Sequence, residues 1–198
     1  YHYNGAGYIL LGLIIEKASR LSYFDYVRKN IFSKTNMEDS NFLSLNIVYD
    51  RVAEGYEPIM DSDKKIIGWK KNIYTATPTA ASDGGATSTA EDLIKFMQGL
   101  RNNKLLGDEM SKEMFIPKVI DEKSNGFRNY IWMYGYGNTF ILDKESEKVV
   151  RCGHTGEEYG VSCRLYHYPT ADLDVVILGN QGWCAGSVGW GIHDILIH

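Results

Sequence analysis

Cysteine is scarce: only Cys152, Cys163 and Cys184 occur in 198 residues. Three thiols make neither an even set nor a C-x-x-C pair, which argues against a disulfide framework or a zinc ribbon and implies no metal. Basic charge is sparse too. With 21 Lys and Arg against 25 Asp and Glu the net charge is -4, and no window carries the dense basic run that neutralising phosphates requires, so nucleic acid is not an expected partner. Long apolar runs are missing: the longest, Tyr8 to Ile15, is broken by Gly12 and is far too short to cross a bilayer as a helix. The sequence opens at Tyr1 with no initiating Met, no basic n-region and no signal-type apolar segment, and reads as if cut from something longer. Internal repeats and low-complexity stretches are absent as well. What is present is 44% apolar, 13% aromatic and 23% charged, the balance of a folded globular domain.

Apolar spacing divides the chain. Across residues 6–19, Leu10, Leu11, Ile14, Ile15 and Ala18 recur at intervals of three and four, which predicts a helix burying that stripe. Ser22 is placed to cap a second helix, with Asp25 favourably set near its positive end and a stop near Phe32. Between Val48 and Ile73, apolar and aromatic residues flank the polar run D-S-D-K-K, the pattern of two short strands joined by a hairpin turn. Small turn-formers over 75–87 lead into Ser88-Thr89-Ala90-Glu91, which reads as a capping box with Ser88 as the cap. Leu93, Phe96, Met97 and Leu100 follow at helical spacing.

The last third changes period. Residues 139–143, 148–152, 160–168 and 173–180 are short aromatic and β-branched runs separated by turn-formers, predicting an antiparallel meander. Val188, Ile192, Ile195 and Leu196 predict a closing helix over 187–198 packed on that sheet. The expected organisation is one α+β unit over 1–198, mainly helical with a short hairpin through residue 120 and antiparallel strands with a closing helix from 121 onward.

Two segments can carry chemistry. Gly153-His154-Thr155-Gly156 ends a predicted strand; the glycines let a substrate approach the backbone, and His154 and Thr155 offer donors to a carboxylate or an oxyanion. A hairpin with a surface histidine has the same pattern. Tyr3, beside His2 and Asn4, could accept a proton if nearby cations lowered its pKa from ~10; an aromatic staple under a helix start is the competing explanation. Cys152, Cys163, His154 and His167 fall on neighbouring predicted strands but fit no zinc spacing, and the thiols read as small buried groups. Ser162 lacks the second glycine of a nucleophile elbow, and Ser62-Asp63-Lys64-Lys65 matches Ser-x-x-Lys only formally, inside the predicted turn. Tyr134-Gly135-Tyr136-Gly137 and Gln181-Gly182-Trp183 either line a groove or pack at strand ends.

In order along the chain, Y-x-x-x-G-Y-x-L-L-G-x-I-I-E from Tyr3, G-G-A-T-S-T-A-E-D-L from Gly84, and G-H-T-G from Gly153 followed by V-I-L-G-N resemble the serine β-lactamase-related family: class C β-lactamases, D-alanyl-D-alanine carboxypeptidases and penicillin-binding-protein-like esterases. The resemblance runs from Tyr1 to about His198. It implies a β-lactamase/transpeptidase-like fold of α+β class, no cofactor, and a parent hydrolase whose upstream Ser-x-x-Lys serine takes an acyl group from an amide or ester. Tyr3 matches the proton-shuttling tyrosine of a Tyr-x-Asn motif. His154, Thr155 and Gly156 match the substrate-holding Lys-Thr-Gly or His-Thr-Gly strand, and the backbone amide of Glu157 is implied as one of two oxyanion-hole donors.

The motif's asparagine position holds Gly5, with Asn4 one residue earlier; Asn4 is the substrate-binding candidate, displaced from where it would hold the substrate amide and orient the lysine. Glu157-Glu158 adds negative charge beside the pocket and disfavours anionic substrates. The implied partners are a β-lactam, a D-Ala-D-Ala peptide or an ester as substrate, and either the missing N-terminal segment or a second copy of the chain. That segment would supply strands and a helix whose absence exposes a strand edge and apolar surface. Without the serine the chain by itself is expected to be inactive, and the resemblance alone points to the bacterial envelope or secretion. The alternative is a non-catalytic binding or sensor domain that keeps the pocket, which Gly5 and Glu157 favour.

Overall fold

The computed structural model describes residues 1–44, 46–73 and 78–197; Thr75–Thr77 at the start of the predicted turn-forming stretch and His198 at the end of the predicted closing helix lie outside the described residues. Helix α1 (Gly5–Ser19) is capped by Asn4, whose Oδ1 accepts from the Gly7 amide at 3.3 Å, and it stops where Arg20 turns left-handed. The predicted stripe does not become its buried face. Leu10, Leu11 and Ile14 are exposed, Leu10 by 61%, and the buried position is Gly12. A Cβ at Gly12 would stand 2.2 Å from Ser82 Oγ, so this glycine lets the loop at Ser82 come against the helix. Apolar spacing marks a face that favours burial; among the described residues nothing covers it.

Ser22 caps α2 (Tyr23–Val27) by accepting from the Asp25 amide at 3.1 Å. The helix then runs past Phe32, through a π-helical turn (Arg28–Phe32) into α3 (Ser33–Thr35), and ends at left-handed Asn36. Val27, Phe32 and Met37 are buried there, with Phe42, Leu93 and Phe96 packed against them. Leu93 and Phe96 belong to α4 (Ala90–Arg101). Its cap is Thr89, one residue later than the capping box predicted: Thr89 Oγ1 accepts from the Asp92 amide at 3.2 Å. Ser88 instead lies 2.7 Å from Ser40 Oγ, and the buried Asp92 accepts from the Asp39 amide and Ser40 Oγ, both at 2.8 Å. The inward carboxylate at 92 sets the frame of the helix start, a long-range contact that the local pattern does not contain.

Strands β1 (Tyr56–Met60) and β2 (Ile66–Lys71) form the predicted hairpin, its turn held by Asp61 Oδ1 accepting from the amides of Asp63 and Lys65. Ser62 and Lys65 therefore sit in a tight turn. After α5 (Asp108–Glu113) the chain builds one antiparallel sheet in sequential order: β3 (Val119–Ile120), β4 (Tyr130–Tyr134), β5 (Thr139–Asp143), β6 (Val149–Glu158), β7 (Val161–Tyr168) and β8 (Leu173–Gly179). Strands β3 and β4 and helix α5 extend what the sequence pattern predicted; Tyr-Ile-Trp-Met-Tyr in β4 is apolar or aromatic throughout and carries no alternation.

One sheet face buries Phe140, Leu142 and Cys152 with Phe115 and Met133. Helix α6 (Cys184–Ile197) packs against β7 and β8 through Ala185, Gly189 and His193, while Val188 and Ile195 of the predicted apolar face are exposed. Arg151 lies between the rings of Tyr166 and Trp190, at 3.9 and 4.6 Å from their centroids. The aromatic and cationic floor of the sheet accepts the helix's small residues, and β8 closes one edge of the sheet with no further described strand beside it.

Candidate active site

The site begins at a bend in β6. Gly153 has φ +143, and a Cβ there would stand 2.0 Å from Leu165 O, so only glycine fits. Before the bend, β6 pairs with β5 on one side; Thr139 opposite Gly153 is the last such pair. Beyond it, His154–Glu158 pair with β7 alone, and the opposite strand edge is left free of the sheet. Thr139 Oγ1 donates to Gly153 O at 2.8 Å and holds the departure point.

Across this edge stands the start of α1. The Tyr3 ring lies 6.1 Å from His154 and 6.4 Å from Tyr134, centroid to centroid. The two segments singled out from sequence thus meet, at opposite ends of the chain. Tyr1 stacks on Tyr134 at 4.3 Å. Cavities of about 420 and 360 Å³ flank Tyr3: the first between Tyr1, Tyr134, Tyr136 and Lys118, the second between Tyr23, Asp83 and His154.

His154 has a defined tautomer. Its Nδ1 is 2.7 Å from Thr155 O, and a carbonyl only accepts, so Nδ1 carries the proton. Nε2 then accepts from Tyr134 Oη at 2.9 Å, and that hydroxyl lies 3.3 Å from Tyr8 Oη. Burial lowers the His154 pKa below the usual imidazole value, outweighing the contact with Thr155 O. The ring is neutral with both nitrogens engaged, so it orients Tyr134 rather than offering a free donor to the cleft. Thr155 is exposed, and no hydrogen bond engages its hydroxyl among the described residues.

Tyr3 is 60% exposed. Partial burial, then the neighbouring Tyr8 and Asp83, push its phenol pKa up. As a proton acceptor it needs a cation beside it. Asn4 is committed to the α1 cap. Glu157 is not a loose charge: it pairs with Arg164 and accepts from Ser162 Oγ and the Trp183 amide, which pins the end of β6 and with it the Glu157 backbone. The expected repulsion of anions therefore falls to Glu158, which is exposed.

Ser162 is fully buried, bonded to Glu157 and the Ala185 amide, and Cys152 is buried with its thiol pushed up to about 12. Neither is placed to attack a substrate. Among the described residues no group of three or more His, Cys, Asp or Glu could hold a metal ion. Tyr8 and Asp83 carry no signal in the sequence that marks them for the site: Tyr8 reads as part of the apolar run of α1, and nothing local marks Asp83.

Helices on an antiparallel sheet with a closing C-terminal helix give this chain the β-lactamase/transpeptidase fold of α+β class, as the match to a solved penicillin binding protein shows. The Beta-lactamase family model matches residues 1–182, and the chain belongs to this family of serine hydrolases. It is similar to penicillin-binding protein 4* of Bacillus subtilis (strain 168), at 24% identity over 185 residues, 90% of this chain and 39% of the relative. The penicillin binding protein from Bacillus halodurans has a TM-score of 0.85 and 30% identity, over 98% of this chain and 56% of that one. A D-stereospecific amidohydrolase from Streptomyces sp., TM-score 0.68, is 19% identical over 92% of this chain and 51% of that one, a likeness of fold. The chain spans 39% of the curated relative and 56% and 51% of the two solved structures.

Proposed function

We propose that this chain forms one wall of the active site of a hydrolase that cleaves an amide or ester through an acyl-serine intermediate. The observation that carries the reading is the approach of Tyr3 to the open edge of β6 at His154-Thr155-Gly156, with ring centroids 6.1 Å apart. A serine from a Ser-x-x-Lys segment of the longer protein attacks the substrate carbonyl carbon. Its proton passes to the Tyr3–lysine pair and on to the leaving amine or alcohol, and water then releases the acyl group. The Thr155 hydroxyl and the free strand edge hold the substrate, and the Glu157 amide is one oxyanion donor. His154 acts through Tyr134 and the Thr155 carbonyl. Asn4 keeps the helix start in place rather than gripping substrate, which makes Gly5 an opening in the wall.

Candidate substrates are β-lactams, peptides ending in D-Ala-D-Ala, and small amides or esters. The raised phenol of Tyr3 supports the need for the upstream lysine, and the uncovered Leu10, Leu11 and Ile14 support a covering N-terminal segment. Among the described residues no nucleophile is placed to attack a substrate, and the chain by itself is inactive in this reading.

Intact-mass analysis of the longest form the gene encodes, and of this chain, after exposure to a penicillin and to an activated ester tests the reading. An adduct on the long form alone is the expected result. No adduct on either would shift the assignment to a binding domain without turnover, and an adduct on this chain would overturn the upstream nucleophile.

A further inference from the structure

Gly5, where the family resemblance puts an asparagine, opens onto a carboxylate. A Cβ at Gly5 would stand 3.4 Å from Asp83 Oδ2. Asp83 is carried by a loop that is anchored at both ends: Ala81 and Gly84 exchange backbone hydrogen bonds, and Ser82 Oγ donates to Tyr8 O at 2.9 Å with Gly12 close beneath it. The position of the carboxylate is therefore built on α1, the helix that Tyr3 precedes by two residues. It lines the cavity of about 360 Å³ together with Tyr3, Tyr8, Tyr23 and His154. Among the described residues no donor or cation is paired with Asp83.

A carboxylate without a paired cation that shares a cavity with three tyrosines is an environment that suits an ammonium, which the carboxylate attracts and aromatic rings tolerate. The neutral state of His154 leaves that charge uncompensated from the strand side. Asp83 also opposes ionisation of Tyr3; a cation between the two would cancel that opposition and favour the phenolate.

We infer that Asp83 binds an alkylammonium group beside Tyr3, an inference resting on the hydrolase reading above. The ammonium comes either from the free amine of an aminoacyl substrate or from the lysine that activates the serine. Gly5 and Asp83 work together: the missing side chain gives access, and the carboxylate gives the selectivity.

The test is Asp83→Asn in the longest form the gene encodes, assayed on D-alanine p-nitroanilide and on its N-acetylated counterpart. Loss of one charge-assisted contact is expected to lower kcat/KM by about tenfold or more on the free amine and by less than about twofold on the acetylated substrate. An equal loss on both, with the acidic limb of the kcat/KM pH profile displaced and restored by Asp83→Glu, supports the same contact with the lysine as its source. An equal loss without a displaced limb, or no loss, overturns the inference. A second readout does not depend on catalysis. Benzylammonium titrated into this chain is expected to shift the Tyr3 ring resonances saturably, benzyl alcohol is not, and Asp83→Asn abolishes the shift; a shift that survives the substitution, or no shift, overturns it. If no ester or β-lactam acylates the long form, the hydrolase reading fails while the titration still decides the fate of Asp83.

Discussion

Helices α1 and α4 invert the ordinary relation between composition and burial. Nearly every position of α1 from Ile9 to Ile15 is apolar, yet only Gly12 is buried; α4 mixes Glu91, Lys95 and Gln98 with its apolar residues and buries Met97, Gly99 and Leu100. A helix apolar all round normally sits inside a larger core. The difference lies in where the cover comes from. Helix α4 is met by α3 and by β7 and β8, all folded from this chain, whereas the outward side of α1 meets no described residue and is the surface assigned above to a covering segment.

Truncating one apolar side chain in each helix gives the sharpest contrast between them. Met97→Ala, at a position 2% exposed, is expected to cost about 2–5 kcal/mol, and Leu10→Ala less than about 0.5 kcal/mol in this chain, by urea unfolding. In a longer form with α1 covered, the Leu10→Ala cost should rise toward the Met97→Ala value; equal small losses in both forms would remove the case for a cover.

Next is Asp92, the buried carboxylate at the start of α4. Burial acts to raise its pKa, but the hydrogen bonds from Ser40, Lys95 and the Asp39 amide outweigh burial and hold it below the usual carboxylate value. A lowered folded pKa stabilises the fold above the unfolded value, about 3.9, and that contribution disappears as pH falls through the folded value. Asp92→Asn should cost about 1–3 kcal/mol at pH 7 and progressively less below about pH 4. A penalty independent of pH would contradict the ionised assignment.

Capping should separate the two helices less. Thr89→Ala and Asn4→Ala are each expected to cost about 1 kcal/mol, because a cap satisfies amides of its own helix whatever covers the sides. Should Asn4→Ala leave stability untouched and slow acylation of the long form, Asn4 would be a substrate ligand after all. The smallest effect is at His154, whose titration followed by NMR should have its midpoint below about 6.5; a midpoint at or above that value would contradict the neutral ring bonded to Tyr134.

Local pattern carried much of this outcome. Caps at Ser22 and a turn at Asp61 depend on residues three or four apart, and the strands from Thr139 to Gly179 are aromatic and β-branched runs bounded by turn-formers, which is enough to read them. Where reading failed, the deciding contact was distant. The start of α4 moved from Ser88 to Thr89 because Asp92 binds Asp39 and Ser40, and α6 turned Gly189 and His193 inward because Tyr130, Arg151 and Tyr166 of the sheet build a floor that accepts them. Tyr3 and the Gly153-His154-Thr155-Gly156 strand were legible by resemblance, but the saturation of His154 by Tyr134 and Thr155 was not.

Side-chain period and cap chemistry act within a few residues, so most element types, the order of the motifs and the need of α1 for apolar cover could be read from the amino acids, while α5, β3 and β4 could not. Which faces are covered, which tautomer His154 adopts and the exposed place of Asp83 behind Gly5 follow from the folded arrangement alone. Those outcomes depend on chain segments tens to more than a hundred residues apart arriving within a few ångströms, which no local pattern encodes.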